Sequence, residues 1–450
     1  MIAMSMIYLV IYLNKTRLTN HQGVWAVKKL IVFLFLSCSA FFAQTEYSGN
    51  SGQLINSVVF YIDASSHKSD IAKKTRVDFL IQVPYPSLQF TQKGDSFNGG
   101  FNITVSFMDE KQNNILFERE WSEFVKTKDF NSTLSRNNFN LSYKSFDIDP
   151  GKYFLKCYYE DSDSKRTAIK EIPLNVPVIN DTLGLSDVIF VADIVKDSTG
   201  SKIVPNVAAT VTNKSTSITF YFEVYSDKVR DVNFEYSLND IKKNTSFKQD
   251  DHHSIKPGNN TIIHTISYTG FAVGDYFLKV SLKDKDWKEV AVTEKKFISK
   301  IYGAPSLIMD LDKAVDQLRY IASSEELDFI HDAKSYDEKL KRFLAYWDKK
   351  KPSQRSEENP ILYEYYRRID YANKNFKGFG EGWKSDMGMI YVTLGPPSNI
   401  ERHPFDANSK PYEIWQYYEL NQSFVFLDQT GFGDYRLYNA DYSRWPGYRQ

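Results

Sequence analysis

The sequence predicts a mainly β protein. It comprises two tandem antiparallel β-sandwiches of the immunoglobulin-like kind, followed by a C-terminal α+β domain with a helical segment and a small antiparallel sheet. Three observations carry this prediction. Short strands of alternating apolar and polar residues extend from residue 57 to about residue 300. A Gly-x-Tyr-Phe-Leu-Lys pattern occurs at Gly151 and again at Gly274. After Pro305 the hydrophobic period changes from 2 to 3.6.

The composition fits a chain of several globular domains. The 450 residues are 42% hydrophobic and 25% charged, with 21 Gly and 15 Pro, which excludes disordered and collagen-like classes. The formal net charge is zero, which argues against nucleic acid as the main partner. We expect no cofactor and no bound metal.

Residues 1–43 are predicted to be a targeting segment. Lys28 and Lys29 precede the apolar run Leu30–Ala43, which is shorter than the roughly 20 residues a membrane span needs. This pattern is typical of a secretory signal, with cleavage after Ala43. We therefore expect export to the periplasm or outer membrane, with membrane contact only through this segment.

Two features of the N-terminus leave alternatives open. Residues 1–26 add a second apolar stretch, which we interpret as a misassigned start ahead of a true initiator at Val27; the alternative is a real N-terminal anchor. Cys38 raises the alternative of a lipid anchor, although Phe35 and Leu36 fit a lipoprotein signal poorly. Cleavage after Ala43 leaves Cys157 as the remaining cysteine, and its apolar strand pattern predicts a buried, unreactive thiol.

The two predicted β-sandwiches cover residues 47–178 and 183–300. Pro173 and Pro177 mark the first boundary, and Gly303-Ala304-Pro305 marks the second. Alternation predicts strands at residues 57–62, 76–81, 101–107, 206–211, 218–224 and 261–266. Asn98-Gly99 and Pro257-Gly258 are predicted turns.

The remaining domain, residues 305–450, begins with a helical pattern. Ser306 is the predicted cap of a first helix, Ser335 with Glu338 of a second, and Asn359 before Pro360 of a third. Predicted strands follow at Met389–Leu394, Tyr412–Tyr418, Ser423–Leu427 and Tyr435–Tyr438. Helices followed by a meander of strands indicate an α+β domain.

Several ordered blocks of this domain carry a family resemblance. They are Tyr365–Asn373, Gly382–Asp386, Leu394–Pro397, Tyr412–Tyr417 and Gly433–Tyr435. Together they resemble the GWxTD domain over about residues 305–440. Ser385 stands where the family has Thr, and Met387 stands where many members have Arg. The resemblance implies an exported bacterial protein with β-domains ahead of the motif, and it brings no assigned activity.

The motif residues favour a structural role. Gly382 would allow a positive φ or a close approach, and Trp383 would bury its ring between helices and sheet. Asp386 would accept backbone N–H groups in an Asx turn, helped by Ser385 and Gly388. The rigid turn that follows is Gly395-Pro396-Pro397.

A functional alternative groups the acidic and aromatic motif residues in one pocket. Its members are Trp383, Asp386, Glu413, Trp415 and Asp434. Asp386 and Glu413 would then be candidate catalytic carboxylates acting as an acid/base pair. Glu413 and Trp415 are two residues apart on one predicted strand, so they share a face.

Other sequence patterns point to no chemistry. Asp250–His253 precedes Pro257-Gly258 and is interpreted as a solvated hairpin loop rather than a metal site. The sequence contains no HExxH, no GxSxG and no P-loop pattern.

The sequence therefore favours a non-catalytic cell-envelope protein. The tandem sandwiches would act as spacers or binding modules, and the C-terminal domain would bind a protein partner in the envelope. Two alternatives stay open. One is a hydrolase acting on glycan or peptide through Asp386 and Glu413; the other is a carbohydrate-binding protein that uses exposed aromatic rings.

Overall fold

The computed structural model describes residues 58–438 except 136–137, 198–199, 243, 353–358, 377–379 and 406–408. The predicted targeting segment 1–43, the alternative start in residues 1–26 and the alternative anchor at Cys38 lie outside the described residues. Strands account for 50% of the described residues and helices for 20%, so the fold is mainly β.

The first β-module consists of two sheets and one short helix, α1 (Phe130–Leu134). Its strands are β1 (Tyr61–Lys68), β2 (Thr75–Pro84), β3 (Thr91–Lys93), β4 (Ser96–Asp109), β5 (Ile115–Thr127), β6 (Phe139–Ile148), β7 (Gly151–Asp161) and β8 (Thr167–Val176). One sheet has the order β1-β2-β6. The other has the order β5-β4-β7-β8, and β3 also pairs with β4.

Both sheets of this module bury alternate side chains in one core. Val77 and Phe79 of β2 pack in the same cluster as Phe101 and Ile103 of β4. Cys157 of β7 belongs to this cluster and is fully buried. Burial raises the pKa of its thiol to about 12, so the prediction of a buried, unreactive cysteine is confirmed.

The second β-module also consists of two sheets. Its strands are β9 (Leu183–Leu185), β10 (Ile189–Asp197), β11 (Gly200–Pro205), β12 (Thr210–Thr212), β13 (Ser217–Ser226), β14 (Arg230–Asp240), β15 (Thr245–Ile255), β16 (Gly258–Ser267), β17 (Gly274–Lys283) and β18 (Glu289–Lys300). One sheet has the order β11-β10-β13-β16, with β9 on β13. The other has the order β12-β18-β17-β14-β15.

The two β-modules share one pattern of strand pairing. The order β1-β2-β6 corresponds to β10-β13-β16, and β5-β4-β7-β8 corresponds to β15-β14-β17-β18. The repeated Gly-x-Tyr-Phe-Leu-Lys pattern lies on β7 and β17, which occupy equivalent positions. The sequence repeat therefore marks a structural repeat.

Two local predictions in the β-modules are wrong. Residues 206–211 were expected to form a strand, but β11 ends at Pro205, Ala209 adopts a positive φ of 46° in a turn, and only Thr210 and Val211 lie in a strand, β12. Asn98-Gly99 was expected to form a turn and instead lies inside β4. Gly94, with φ of 63°, makes the turn before that strand. The predicted turn is thus shifted by a few residues, and the predicted strand is interrupted by a turn.

The β-modules meet along one face of β1. Asp63 forms an ion pair with Lys295 of β18, with Oδ1 and Nζ 2.6 Å apart. The backbone N–H of Ser66 donates to Asp187 at 2.7 Å, and His67 hydrogen-bonds to Glu223 of β13 at 3.0 Å. Apolar contacts among Leu80, Ile189 and Val207 complete this junction. The modules are thus joined by a largely polar, buried interface.

The C-terminal module places helices against a four-stranded sheet. Its helices are α2 (Leu311–Asp316), α3 (Ser324–His331), α4 (Tyr336–Lys349), α5 (Pro360–Asn375) and α6 (Asp386–Leu394). Its strands are β19 (Asn399–His403), β20 (Tyr412–Tyr417), β21 (Gln422–Asp428) and β22 (Tyr435–Leu437), paired in that order. The helices and the sheet share one hydrophobic core that includes Trp347, Tyr366, Trp383 and Trp415.

Helix caps follow the predicted residues in two of three cases. Asn359 caps α5 by accepting the N–H groups of Ile361 and Leu362, and Ser335 caps α4 by accepting that of Glu338. The first helix begins later than predicted, because Asp310 rather than Ser306 supplies the capping oxygen. Among the described residues, no helix is both long and apolar enough to cross a membrane.

Candidate functional site

The motif Gly382–Asp386 forms a corner between α5, α6 and the C-terminal sheet, which we call the motif corner. Gly382 allows the backbone to approach the last turn of α5. A β-carbon at this position would lie 2.1 Å from the carbonyl oxygen of Ala372 and 2.7 Å from that of Phe376. The requirement is therefore a close approach, one of the two roles predicted for this glycine.

Ser385 begins α6, where a strand was predicted. Its Oγ accepts the N–H of Gly388 at 3.0 Å, as a helix N-cap. Gly388 has no room for a side chain, since a β-carbon there would lie 2.0 Å from the carbonyl oxygen of Gly382. The predicted strand Met389–Leu394 is wrong. A short run of buried β-branched and aromatic residues does not distinguish a strand from a buried helix.

Asp386 ties the start of α6 to the last described strand. Its side chain is 2% exposed, and its Oδ2 accepts the N–H of Leu437 in β22 at 2.7 Å. The predicted use of this carboxylate as an acceptor of backbone N–H groups thus extends to a distant strand, while Ser385 supplies the local cap of α6. Asp386 joins two elements 51 residues apart.

The two motif tryptophans are buried. Trp383 is 2% exposed and packs edge-on against Tyr320, with ring centroids 5.8 Å apart. Trp415 is 1% exposed and packs against Phe426 and Phe376. Neither ring offers an open face to a ligand.

Glu413 lies on the same face of β20 as Trp415, as predicted. Its Oε2 accepts from the Trp415 indole nitrogen at 3.0 Å, and its Oε1 accepts from Arg402 at 3.1 Å. Asp434 accepts from the guanidinium of Arg436 at 3.3 Å. Each of these carboxylates is thus held by a neighbour on the sheet, and none of the three described cavities is lined by Asp386, Glu413 or Asp434.

The turn after α6 is fixed from both sides. Gly395 has φ of 87°, and its carbonyl oxygen accepts the hydroxyl of Tyr417 at 2.8 Å. The guanidinium of Arg368 lies 3.0 Å from where a β-carbon of Gly395 would be. With Pro396 and Pro397 behind it, this segment forms the rigid turn that the sequence predicts.

One cavity in this module is a groove of about 450 Å³ between α5 and the end of α6. Its lining includes Ile361, Tyr365, Glu364, Arg368 and Thr393. Arg368 donates to the carbonyl oxygens of Val392 and Thr393 at 3.3 Å, so its charge satisfies the C-terminal end of α6. Arg368, which also pairs with Glu364, is therefore engaged in holding the end of α6.

Asp428 is an organising residue that the sequence reasoning missed. Its carboxylate accepts the N–H groups of Thr430, Gly431 and Gly433 at 2.8–3.2 Å. Burial alone would raise the pKa of Asp428, but these hydrogen bonds hold it below its ordinary value. The sequence Asp-x-Thr-Gly-x-Gly is rich in residues that favour turns, and this signal could have indicated the loop. The loop presents Phe432, which is 91% exposed.

Asp250–His253 lies within β15 and not in the predicted loop. Asp251 accepts from His253 at 2.8 Å and faces His264 of β16 at 3.5 Å, across the seam between the two sheets. Among the described residues, no group of three or more His, Cys, Asp or Glu is suited to hold a metal ion. The cluster therefore forms polar contacts between the two sheets of the second β-module.

The family model of the GWxTD domain matches residues 274–442. The chain contains a GWxTD domain. The match begins in β17, ahead of the predicted boundary at residue 305. This start is consistent with the close contact between the GWxTD domain and the second β-module, where the N–H of Val273 donates to the hydroxyl of Tyr336 at 2.7 Å.

More distant similarity is found among solved structures. A transglutaminase of red sea bream is 9% identical with a TM-score of 0.17, covering 54% of this chain and 32% of that chain. A proposed β-galactosidase from Bacteroides fragilis is 10% identical with a TM-score of 0.19, covering 49% and 32%. The chain thus spans about a third of each, and similarity at this level carries no argument about function. No curated protein matches the sequence.

Proposed function

We propose that the protein is a non-catalytic component of a bacterial cell envelope, exported through residues 1–43. Two immunoglobulin-like β-sandwiches hold the GWxTD domain, which binds a protein partner. The observation that carries this proposal is the use of the motif residues. Gly382, Ser385 and Asp386 are engaged in close packing, helix capping and a buried tie to β22. These contacts stabilise the local backbone structure, which favours a structural role for the motif over a catalytic one.

The immunoglobulin-like assignment is supported by strand order and by one tyrosine. In the first β-module, one sheet contains β1, β2 and β6, and the other contains β4, β5, β7 and β8. In the second β-module, the equivalent strands are β10, β13 and β16 in one sheet and β14, β15, β17 and β18 in the other. The hydroxyl of Tyr153, near the start of β7, donates to the carbonyl of Asp149 four residues upstream at 2.7 Å. This is the geometry of a tyrosine corner. Tyr276 occupies the equivalent place on β17.

The GWxTD domain offers an aromatic contact surface at one end of its sheet. Phe405 is 95% exposed and Phe432 is 91% exposed. They lie on the β19–β20 and β21–β22 loops, which Lys410 joins by donating to the carbonyl of Gln429 at 2.7 Å. Exposed aromatic rings are typical of protein contact sites, where aromatic side chains contribute much of the binding energy.

The test is crosslinking in intact cells that express the full chain, followed by fractionation. We expect the protein in the envelope fraction, with crosslinked partners that are lost in the double variant Phe405→Ser/Phe432→Ser. The matched control is Phe124→Ser, because Phe124 is 80% exposed but lies on β5 of the first β-module. A cytoplasmic protein, or partners that are unchanged in the double variant, would contradict the proposal.

The two alternative functions have no supporting geometry. A glycan or peptide hydrolase needs Asp386 open to substrate, but this residue is buried and its carboxylate accepts the backbone N–H of Leu437. Carbohydrate binding through Trp383 or Trp415 needs a free ring face, and both rings are buried. We therefore propose neither.

A further inference from the structure

The junction between the β-modules ends in two ammonium groups that have no acidic partner among the residues that the structure describes. Alternate residues of β1 face the second β-module because strand side chains alternate between faces. Farther along β1, Asp63 pairs with Lys295 and His67 with Glu223. At Tyr61 the pattern changes, because its ring packs on the apolar cluster of the junction and also faces the ammonium groups of Lys170 and Lys300.

Lys170 belongs to the first β-module and faces its core side. It pairs with Cys157 across β7 and β8, and directly paired residues point to the same face of a sheet. Its Nζ lies 5.6 Å from the ring centroid of Phe60 and 5.1 Å from that of Tyr61. The ammonium is therefore held on aromatic rings at the edge of the core.

Lys300 approaches the same tyrosine from the second β-module. It is the last residue of β18, and its Nζ lies 5.9 Å from the ring centroid of Tyr61. Within the described part of the chain, neither Lys170 nor Lys300 has an ion pair or a hydrogen bond from its ammonium group. Both side chains are half-buried.

The local electrostatics disfavour two bare charges here. Burial lowers the pKa of both lysines, and the charge of Lys170 lowers the pKa of Lys300 further. The aromatic rings offset only part of this cost, since a cation–π contact is weaker than a charge-assisted hydrogen bond. Lys295, also on β18, is neutralised by Asp63, which lies two residues from Tyr61 on β1. Lys170 and Lys300 have no such partner among the described residues.

We infer that Lys170 and Lys300 bind an oxyanion, a phosphate or a carboxylate group, which bridges the two β-modules beside Tyr61. The inference rests on the convergence of two unneutralised ammonium groups from different modules on one aromatic residue. It does not depend on the proposed function. A bound anion would connect the modules at the end of the junction that lacks an ion pair.

The site can be tested on the full chain by acylating its lysines with and without inorganic phosphate. A bound anion restores the pKa of a lysine and covers its amine, and one pKa unit changes the neutral fraction about tenfold. We expect phosphate to lower the acylation rates of Lys170 and Lys300 by about tenfold, read by peptide mass spectrometry. Lys156 is the internal control, because it is on β7 nearby and already pairs with Glu171 at 3.2 Å.

The acylation experiment has two further conditions, which identify the type of anion that binds and exclude a general effect of salt. Acetate replaces phosphate in one condition, and chloride at equal ionic strength replaces it in the other. Protection by phosphate or by acetate supports the site and names the oxyanion. Equal protection by chloride, or protection at Lys156 as well, overturns it.

Single variants test whether the two lysines act together. Lys300→Met keeps an unbranched stem of similar length beside Tyr61 and removes the charge, so we expect it to abolish the phosphate effect on Lys170. Lys156→Met should leave that effect unchanged. If Lys170 is protected equally in Lys300→Met, with unchanged circular dichroism, the two-lysine site is wrong.

Discussion

The motif corner and the junction between the β-modules hold the molecule together by different means. At the corner, Gly382 and Gly388 bring backbone against backbone, and Asp386 accepts the main-chain N–H of Leu437. At the junction, Glu223 faces both His67 and Arg76, and Asp63 faces Lys295. The corner depends on the absence of side-chain volume, whereas the junction depends on matched charge. Substitutions should therefore separate the two regions clearly.

The largest expected effect is that of Gly382→Ala at the corner. The new β-carbon would meet the carbonyl oxygen of Ala372 at 2.1 Å, and backbone cannot move aside as a flexible side chain can. We expect a loss of about 3 kcal/mol or more in the free energy of unfolding, measured by urea denaturation.

Gly380→Ala is the matched control for this substitution. No heavy atom lies within 4 Å of where its β-carbon would be, although it is only two residues away. We expect a change within about 0.5 kcal/mol. If Gly380→Ala and Gly382→Ala destabilise equally, the corner is not defined by close packing.

Glu223→Ala should have the next largest effect, at the junction. Its carboxylate accepts from His67 at 3.0 Å, from Asn259 at 2.9 Å and from the hydroxyl of Tyr225. Removing it leaves buried polar groups without their acceptor, which we expect to cost about 2–3 kcal/mol by urea denaturation. Glu171→Ala on an exposed pair is the control, with an expected change below about 1 kcal/mol. Equal losses in the two variants would show that the junction charges are not coupled to stability.

The pH dependence sharpens this difference. Burial opposes ionisation of Glu223, but hydrogen bonds from His67, Tyr225 and Asn259 lower the pKa of its carboxyl from the ordinary 4.5 to about 2. A carboxyl with a lowered pKa in the folded state stabilises the fold above its ordinary pKa, and the stabilisation is lost as the pH falls through the folded pKa. We expect a loss of about 2 kcal/mol between pH 4.5 and 2 that Glu223→Gln largely removes, measured by urea denaturation across that range. Parallel profiles for the native protein and the variant would contradict this assignment.

The two regions also differ in how far the sequence could predict them. The corner residues lie close together in the chain, so Gly382, Trp383 and Ser385 could be selected from a short motif. The junction joins His67 to Glu223 across 156 residues, and neither belongs to a motif. Local patterns cannot reveal contacts that only the packing of two modules creates.

The corner itself was predicted only in part. Burial of Trp383 and a close approach at Gly382 follow from residue size alone. The helix at Met389–Leu394 was missed because its residues have strand propensity, and the cap at Ser385 decided the outcome. The partner of Asp386 was also missed, since Leu437 lies 51 residues away.

Substitutions at Ser385 have the smallest expected effect on the free energy of unfolding. They test whether the corner needs a hydroxyl at this position. Its Oγ accepts the N–H of Gly388 at 3.0 Å and donates to the carbonyl of Gly382 at 2.7 Å, so the hydroxyl alone makes the contacts. Ser385→Thr, which restores the family's usual residue, should change the free energy of unfolding by less than about 0.5 kcal/mol. Ser385→Ala removes the cap and should cost about 1 kcal/mol in the same urea titration. A larger loss for Thr than for Ala would mean that volume, rather than the hydroxyl, limits this position, and that the close packing at Gly382 and Gly388 extends to the whole motif.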